Sequence, residues 1–237
     1  MLATTTAERT HTRRRDIVAG VRAMVPWLVG VGPYGLVIGV SAAQADIPSV
    51  AGWLTGPAIF SGSAQVATIE LLDAGAAPLV VVATALAINA RLIVYSGAMA
   101  AHWRGRSRWW RALAAYLLVD PSFAVGVDRY ERPGDRSGAD AHYLGGAIAL
   151  WATWLLAIAL GMSVGAQLPT GLHLEFVIPL FLVGEVAVRF TSPPMHRAGL
   201  TAAAVAVVGY SAPLHVGLVA AIAIGIATGL ATQEGRR

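Results

Sequence analysis

Asn89-Ala90-Arg91 and Asp120 stand inside stretches that are otherwise almost wholly apolar. Arg91 lies near the middle of 77–101, and Asp120 midway along 112–127. A charged side chain at membrane depth costs at least ~2.5–3.5 kcal/mol, so it pairs or serves a function. The two predict an ion pair across two helices, or a shared polar cavity. Asp120-Pro121 also fits a helix start, with proline in the first turn, and the two readings are compatible. Glu185 precedes Arg189 by four residues. It fits either a local i, i+4 ion pair or a carboxylate that carries a proton or faces a substrate. Glu70, beside Asp73, and the pair His173 and Glu175 read as interfacial. The chemistry available to such a set is that of a wet pocket: holding a zwitterion, or passing a proton.

Bond-breaking chemistry finds little support. There is no GxSxG elbow, HExxH, Walker A loop or GxGxxG turn after a strand. Phe60-Ser61-Gly62-Ser63 would need a histidine buried in another helix to act as a nucleophile. The histidines at 11, 102, 142, 196 and 215 fall at or near segment ends and have no metal-ligand spacing. Zero cysteines exclude disulfides and thiolate sites. The reading is a non-enzyme with no metal and no cofactor.

The elements that must hold these residues follow from composition. Of 237 residues, 56% are hydrophobic and 13% charged, and mean hydropathy is +0.63. A soluble domain carries about 25% charge, so this chain reads as an all-α polytopic membrane protein. A span needs roughly 20 apolar residues. Apolar stretches run over 23–44, 50–72, 77–101, 112–127, 143–166, 172–190, 198–211 and 214–231, about seven or eight segments in all. The expected organisation is a basic tail over 1–22, one transmembrane domain over 23–231 and a short tail over 232–237. No internal repeat is evident by eye. The first stretch has no clean cleavage site and reads as an uncleaved membrane segment. Trp109, Trp110, Trp151 and Trp154 fit interfacial belts.

All 17 basic residues are arginine, and the net charge is +4. Their clustering in loops points to topology rather than nucleic acid. Arg9, Arg13, Arg14, Arg15 and Arg22 form one cluster, and Arg104, Arg106, Arg108 and Arg111 another. Both are expected in the cytoplasm, while the mixed loop Asp128–Asp140 fits the outside. Two inside loops require an even number of crossings, yet three stretches lie between them. One stretch is therefore expected to be irregular or re-entrant. The strongest candidate is 50–72, with Gly56-Pro57 and Ser61-Gly62-Ser63. A second expected break lies at Gly32-Pro33-Tyr34-Gly35. Broken helices survive in lipid only where they face protein or a cavity, and in transporters they mark the substrate site. Gly32, Pro33, Ser61, Gly62 and Ser63 are thus candidate sources of free backbone groups. Gln65 and Asn89 are candidate hydrogen-bonding groups, and Arg91 a candidate partner for a carboxylate.

GPYGLVIG over 32–39, SGSAQ over 61–65, LLDAGA over 71–76, Asn89-Ala90-Arg91 with Tyr95, and DPSFA over 120–124 occur in one order. Trp154, Gly161 and LEFVIPLFL over 174–182 follow. In this order the chain resembles the AzlC family, the large subunits of bacterial branched-chain amino acid exporters. It departs from the family's AGASQF at Ser61–Val66, has Leu92 where the family has a histidine, and has Asp120-Pro121 where it has an acidic pair. The resemblance implies export of small neutral amino acids such as valine, leucine or isoleucine across the bacterial inner membrane, and the arginine clusters put the N-terminus in the cytoplasm. It also implies a small polytopic partner subunit, AzlD-like. The candidate substrate residues are Gly32, Pro33, Tyr34, Ser61, Gly62, Ser63, Gln65, Asn89, Arg91 and Tyr95, with Asp120 and Glu185 as candidate proton-coupling or ion-pair carboxylates. The alternatives are a channel, a carrier for another solute such as methionine, or a scaffold for a partner subunit.

Overall fold

A computed structural model of the chain describes residues 6–132, 138–167, 193–209, 221, 224–225 and 227–232. The described residues are helical, with no strand among them. The chain forms two compact units, Met1–Ile178 and Pro179–Arg237. In the second unit a helix over Pro193–Val208 packs with its Ala202 against Gly225. Glu185, Arg189, His173, Glu175, His215 and the segment 172–190 lie outside the described residues.

The first unit is built on two long helices, α1 (Thr6–Gln44) and α8 (Ala139–Gly165). Arg13–Gln44 and Ala139–Gly165 are each long and apolar enough to cross a membrane. They run parallel and close. Gly20 meets the backbone of His142, Gly35 meets Trp154 and Ala157, Gly39 meets Ile158, and Gly165 meets Val40. Small residues allow this approach where lipid offers no hydrophobic drive between helices. The break expected at Gly32-Pro33 is absent, because α1 continues through Pro26 and Pro33. Each proline removes one intrahelical N–H, but the seam with α8 on either side of Pro33 holds the helix in register.

Between these rods the chain is cut into short helices. α2 (Ser49–Ile59) and α3 (Gly62–Asp73) are separated by Phe60 and Ser61. Their outer ends return to one place, since the Asp46 N–H donates to Asp73 Oδ1 at 2.5 Å. An 11-residue helix spans about 16 Å at ~1.5 Å per residue, half the ~30 Å hydrocarbon layer. The pair is therefore a re-entrant hairpin, as expected for 50–72. α4 (Pro78–Asn89) and α5 (Arg91–Ala100) form one span bent by 46° at Ala90. Counting it, the described residues hold up to three spans, against the seven or eight segments expected over the whole chain.

α6 (Arg108–Tyr116) and α7 (Asp120–Glu131) form a second hairpin, broken over Leu117–Val119. Its base is tied by Arg106 to Asp140 at 2.7 Å, by the Tyr130 hydroxyl to Asp140, and by His102 stacked on Tyr130. The long stretch 112–127 is thus two half-helices rather than a traverse. A span followed by a hairpin occurs twice, α1 with α2–α3 and α4–α5 with α6–α7. Because the two spans run in opposite directions, the two hairpins enter from opposite ends. An inverted repeat of this kind rests on topology rather than on a repeated motif, and none is evident in the sequence.

The layout removes the parity conflict, since two spans and one re-entrant hairpin separate the arginine clusters. It also corrects one expectation. Asp128–Asp140 cannot lie opposite Arg104–Arg111, because Asp140 is ion-paired to Arg106. Asp16 also approaches Gly138, so the first arginine cluster belongs to the same end. Asp140 neutralises Arg106 there and Asp128 pairs with Arg132, instead of marking the other face. The absence of cysteine makes labelling direct. Ser107→Cys is expected to react with an impermeant maleimide from one side of the membrane, and Ala76→Cys from the other. Labelling of Ala76→Cys and Ser107→Cys from the same side would overturn the arrangement.

Candidate functional site

The two hairpin tips meet. The Tyr116 hydroxyl, one residue before the α6–α7 break, donates to the Pro57 carbonyl at 2.6 Å. Its ring lies 6.1 Å from that of Phe60, and Trp151 Nε1 donates to the same hydroxyl. Phe60 is 4% exposed and holds φ 43°, ψ 47°. A bulky side chain in this left-handed region costs roughly 1–2 kcal/mol, and such outliers gather at functional sites. Tyr116 carries neither a charge nor a motif, so sequence reasoning passed over it, and Phe60 entered only as the flank of Ser61-Gly62-Ser63.

The break in the α4–α5 span opens beside the second tip. Arg91 Nη1 lies 2.9 Å from Asp120 Oδ2 and donates to Oδ1 at 3.1 Å. The Tyr95 hydroxyl, one turn along α5, donates to Asp120 Oδ1 at 2.8 Å. The Tyr95 ring stacks on Phe123 at 4.4 Å. The expected Arg91–Asp120 pair is therefore present, and Asp120 also begins α7, with Val119 as its N-cap. A carboxylate at the start of a helix is favourable and a guanidinium there is not. Asp120 thus serves both its own helix and the start of α5. Ser122 seals the turn by accepting from the Val119 N–H and donating to the Leu117 carbonyl.

The α2–α3 tip carries the other group of candidates. Gln65 is fully buried. Its Nε2 donates to Thr55 Oγ1 at 2.9 Å, and its Oε1 accepts from Trp154 Nε1 at 3.1 Å. Trp154 is 4% exposed, a correction to its placement in an interfacial belt: its indole is the third member of a buried polar chain. Trp109, by contrast, is largely exposed. Tyr34 packs edge-on to Trp154, and a Cβ on Gly62 would collide with the Tyr34 ring. Tyr34, Ser61, Gly62 and Gln65 are thus gathered at one tip, while Arg91, Tyr95 and Asp120 gather at the break facing the other. Gly32 is apart, with open space around its α-carbon.

Two buried oxygens beside these breaks, Ser61 Oγ and Asn89 Oδ1, have no hydrogen-bond partner among the described residues; nor do Thr68 Oγ1 within α3, Trp103 Nε1 and His142 Nδ1. Buried polar atoms are almost always paired. Of these, Ser61 and Asn89 stand beside chain breaks and are candidates to contact a bound solute. Among the described residues, no group of histidine, aspartate or glutamate could hold a metal ion.

A protein-family model described as AzlC protein matches residues 26–168. That range contains both tips, the bent span, all of α8 and about half of α1. No curated protein and no solved structure matches the chain.

Proposed function

We propose that this chain, which belongs to the AzlC family, is a permease exporting small neutral amino acids such as valine, leucine and isoleucine. Membership makes it a membrane transport protein; the substrate and the direction are our reading. One observation carries it. Two half-length hairpins, entering from opposite ends, bring their tips to a bent span at Arg91–Asp120. Half-helices leave backbone groups open at mid-depth, where lipid tolerates them only around a cavity or protein. An inverted pair of such units provides two gates around one central site, the arrangement alternating access requires.

Uphill export needs an energy source, and the chain has no nucleotide-binding motif. We assign coupling to proton antiport, with Asp120 as the titrating group at the tip and Glu185 as a second candidate. The expected setting is the bacterial inner membrane with the arginine-rich end in the cytoplasm, residues 23–231 as one transporter domain, and a small polytopic partner subunit.

Labelled-valine efflux from loaded vesicles tests the reading. Saturable efflux that collapses when the proton gradient is dissipated is the expected result. Flux that does not saturate and ignores the gradient would indicate a channel. Faster efflux of methionine than of valine would keep the carrier and change its substrate.

A further inference from the structure

The polar groups at the breaks divide into those already engaged and those left open. Arg91 is held by Asp120, and Gln65 by Thr55 and Trp154. Ser61 Oγ and Asn89 Oδ1 are sealed from solvent and have no partner among the described residues. Ser61 precedes α3 in the N-cap position with extended backbone, φ −152° and ψ 116°, yet its side chain makes no cap hydrogen bond. It is 5% exposed. The first N–H groups of a helix have no intrahelical acceptor and favour an anion. Here those of Gly62 and Ser63 open beside an unused hydroxyl.

Asn89 closes α4. α3 and α4 have 12 residues each and are joined by the short turn 74–77, so they run antiparallel as packed neighbours. The start of α3 and the end of α4 therefore stand at one level. The first presents the positive end of a helix dipole and the second the negative end. Each carries an orphaned side-chain oxygen.

We propose that these two ends form the head-group site for an α-amino acid. The carboxylate lies against Ser61 Oγ and the N–H groups of Gly62 and Ser63, and the ammonium against Asn89 Oδ1 and the carbonyl end of α4. This inference rests on the transport reading and sharpens it. Arg91 is not the carboxylate ligand; it stays with Asp120 as the neighbouring charged element. Tyr34, against Gly62, closes the carboxylate side.

Competition against labelled leucine in reconstituted vesicles tests the assignment with two half-substrates: isocaproate, which keeps only the carboxylate, and isoamylamine, which keeps only the ammonium. Ser61→Ala is expected to weaken inhibition by isocaproate roughly tenfold or more, the worth of a hydrogen bond to a charged group, and to leave isoamylamine unchanged. Asn89→Ala is expected to do the reverse. Ser61→Thr and Asn89→Asp keep an oxygen in place and are expected to keep the corresponding probe, which separates lost contact from lost fold. Equal loss of both probes in either alanine variant, or no change in either, overturns the assignment while wild-type leucine transport still stands. Wild-type vesicles that neither bind nor move leucine overturn the transport reading itself, and this site with it.

Discussion

Arg91→Ala is expected to abolish export while the protein still inserts and purifies as a monodisperse species. The guanidinium is the counter-ion of Asp120, at 2.9 Å. Without it the carboxylate keeps the Tyr95 hydroxyl but loses its counter-charge, and the junction between α5 and α7 loses its charged tie. One charge-assisted hydrogen bond is worth about 1.5–3 kcal/mol, so its loss alone slows transport roughly 10- to 100-fold. Lost coupling removes the remainder.

Only Nη1 of Arg91 touches Asp120, and it reaches both oxygens. A lysine ammonium can occupy that point, so Arg91→Lys is expected to retain a measurable fraction of export. Asp120→Asn keeps the shape without the charge. It is expected to uncouple residual flux from the proton gradient. The double variant Arg91→Ala, Asp120→Ala is expected to lose less than the sum of its single losses, since the groups share one interaction. Unchanged valine efflux in Arg91→Ala vesicles would remove Arg91 from the mechanism.

The Arg91–Asp120 pair was legible in the sequence for an energetic reason: two charges in apolar stretches have few alternatives to each other. The re-entrant character of 50–72 was legible from parity, because arginine clusters fix sides and an odd number of full crossings contradicts them. Three features were not. Gly32-Pro33 reads as a break by local propensity, but tertiary packing of Gly35 and Gly39 on α8 overrides it. The break over Leu117–Val119 has no glycine or proline inside it; it follows from Asp120-Pro121 starting a new helix, a signal that a continuous apolar run conceals. Trp154 reads as interfacial by residue type, and only the position of Gln65 across the bundle shows what its indole N–H is for. Local chemistry thus announces charge and helix starts. Which breaks survive, and which aromatic ring faces inward, depends on neighbours far away in sequence.

The α1–α8 seam fixes where both hairpins sit, so it is where a single methyl-bearing side chain should do most damage to the fold. Gly39 and Gly161 face each other across it. A Cβ on Gly161 would collide with the Leu36 carbonyl, and one on Gly39 with the Ile158 carbonyl. Backbone atoms cannot step aside as a flexible side chain can, so the helices must part. Parting them loosens Gly35 from Trp154 and, through Trp154, the buried chain to Gln65 and Thr55. Overpacking of a tight core costs typically 1–3 kcal/mol, and loss of the Gln65 hydrogen bonds adds about 1–3 kcal/mol for each buried group left unpaired. Gly161→Val is therefore expected to lower the melting temperature in detergent by many degrees or to prevent recovery of folded protein. Gly32→Ala, on the open side of α1, is expected to leave the melting temperature nearly unchanged. Equal melting temperatures for Gly161→Val and wild type would mean that the seam is looser than its backbone contacts imply, and that the tips are held by something else.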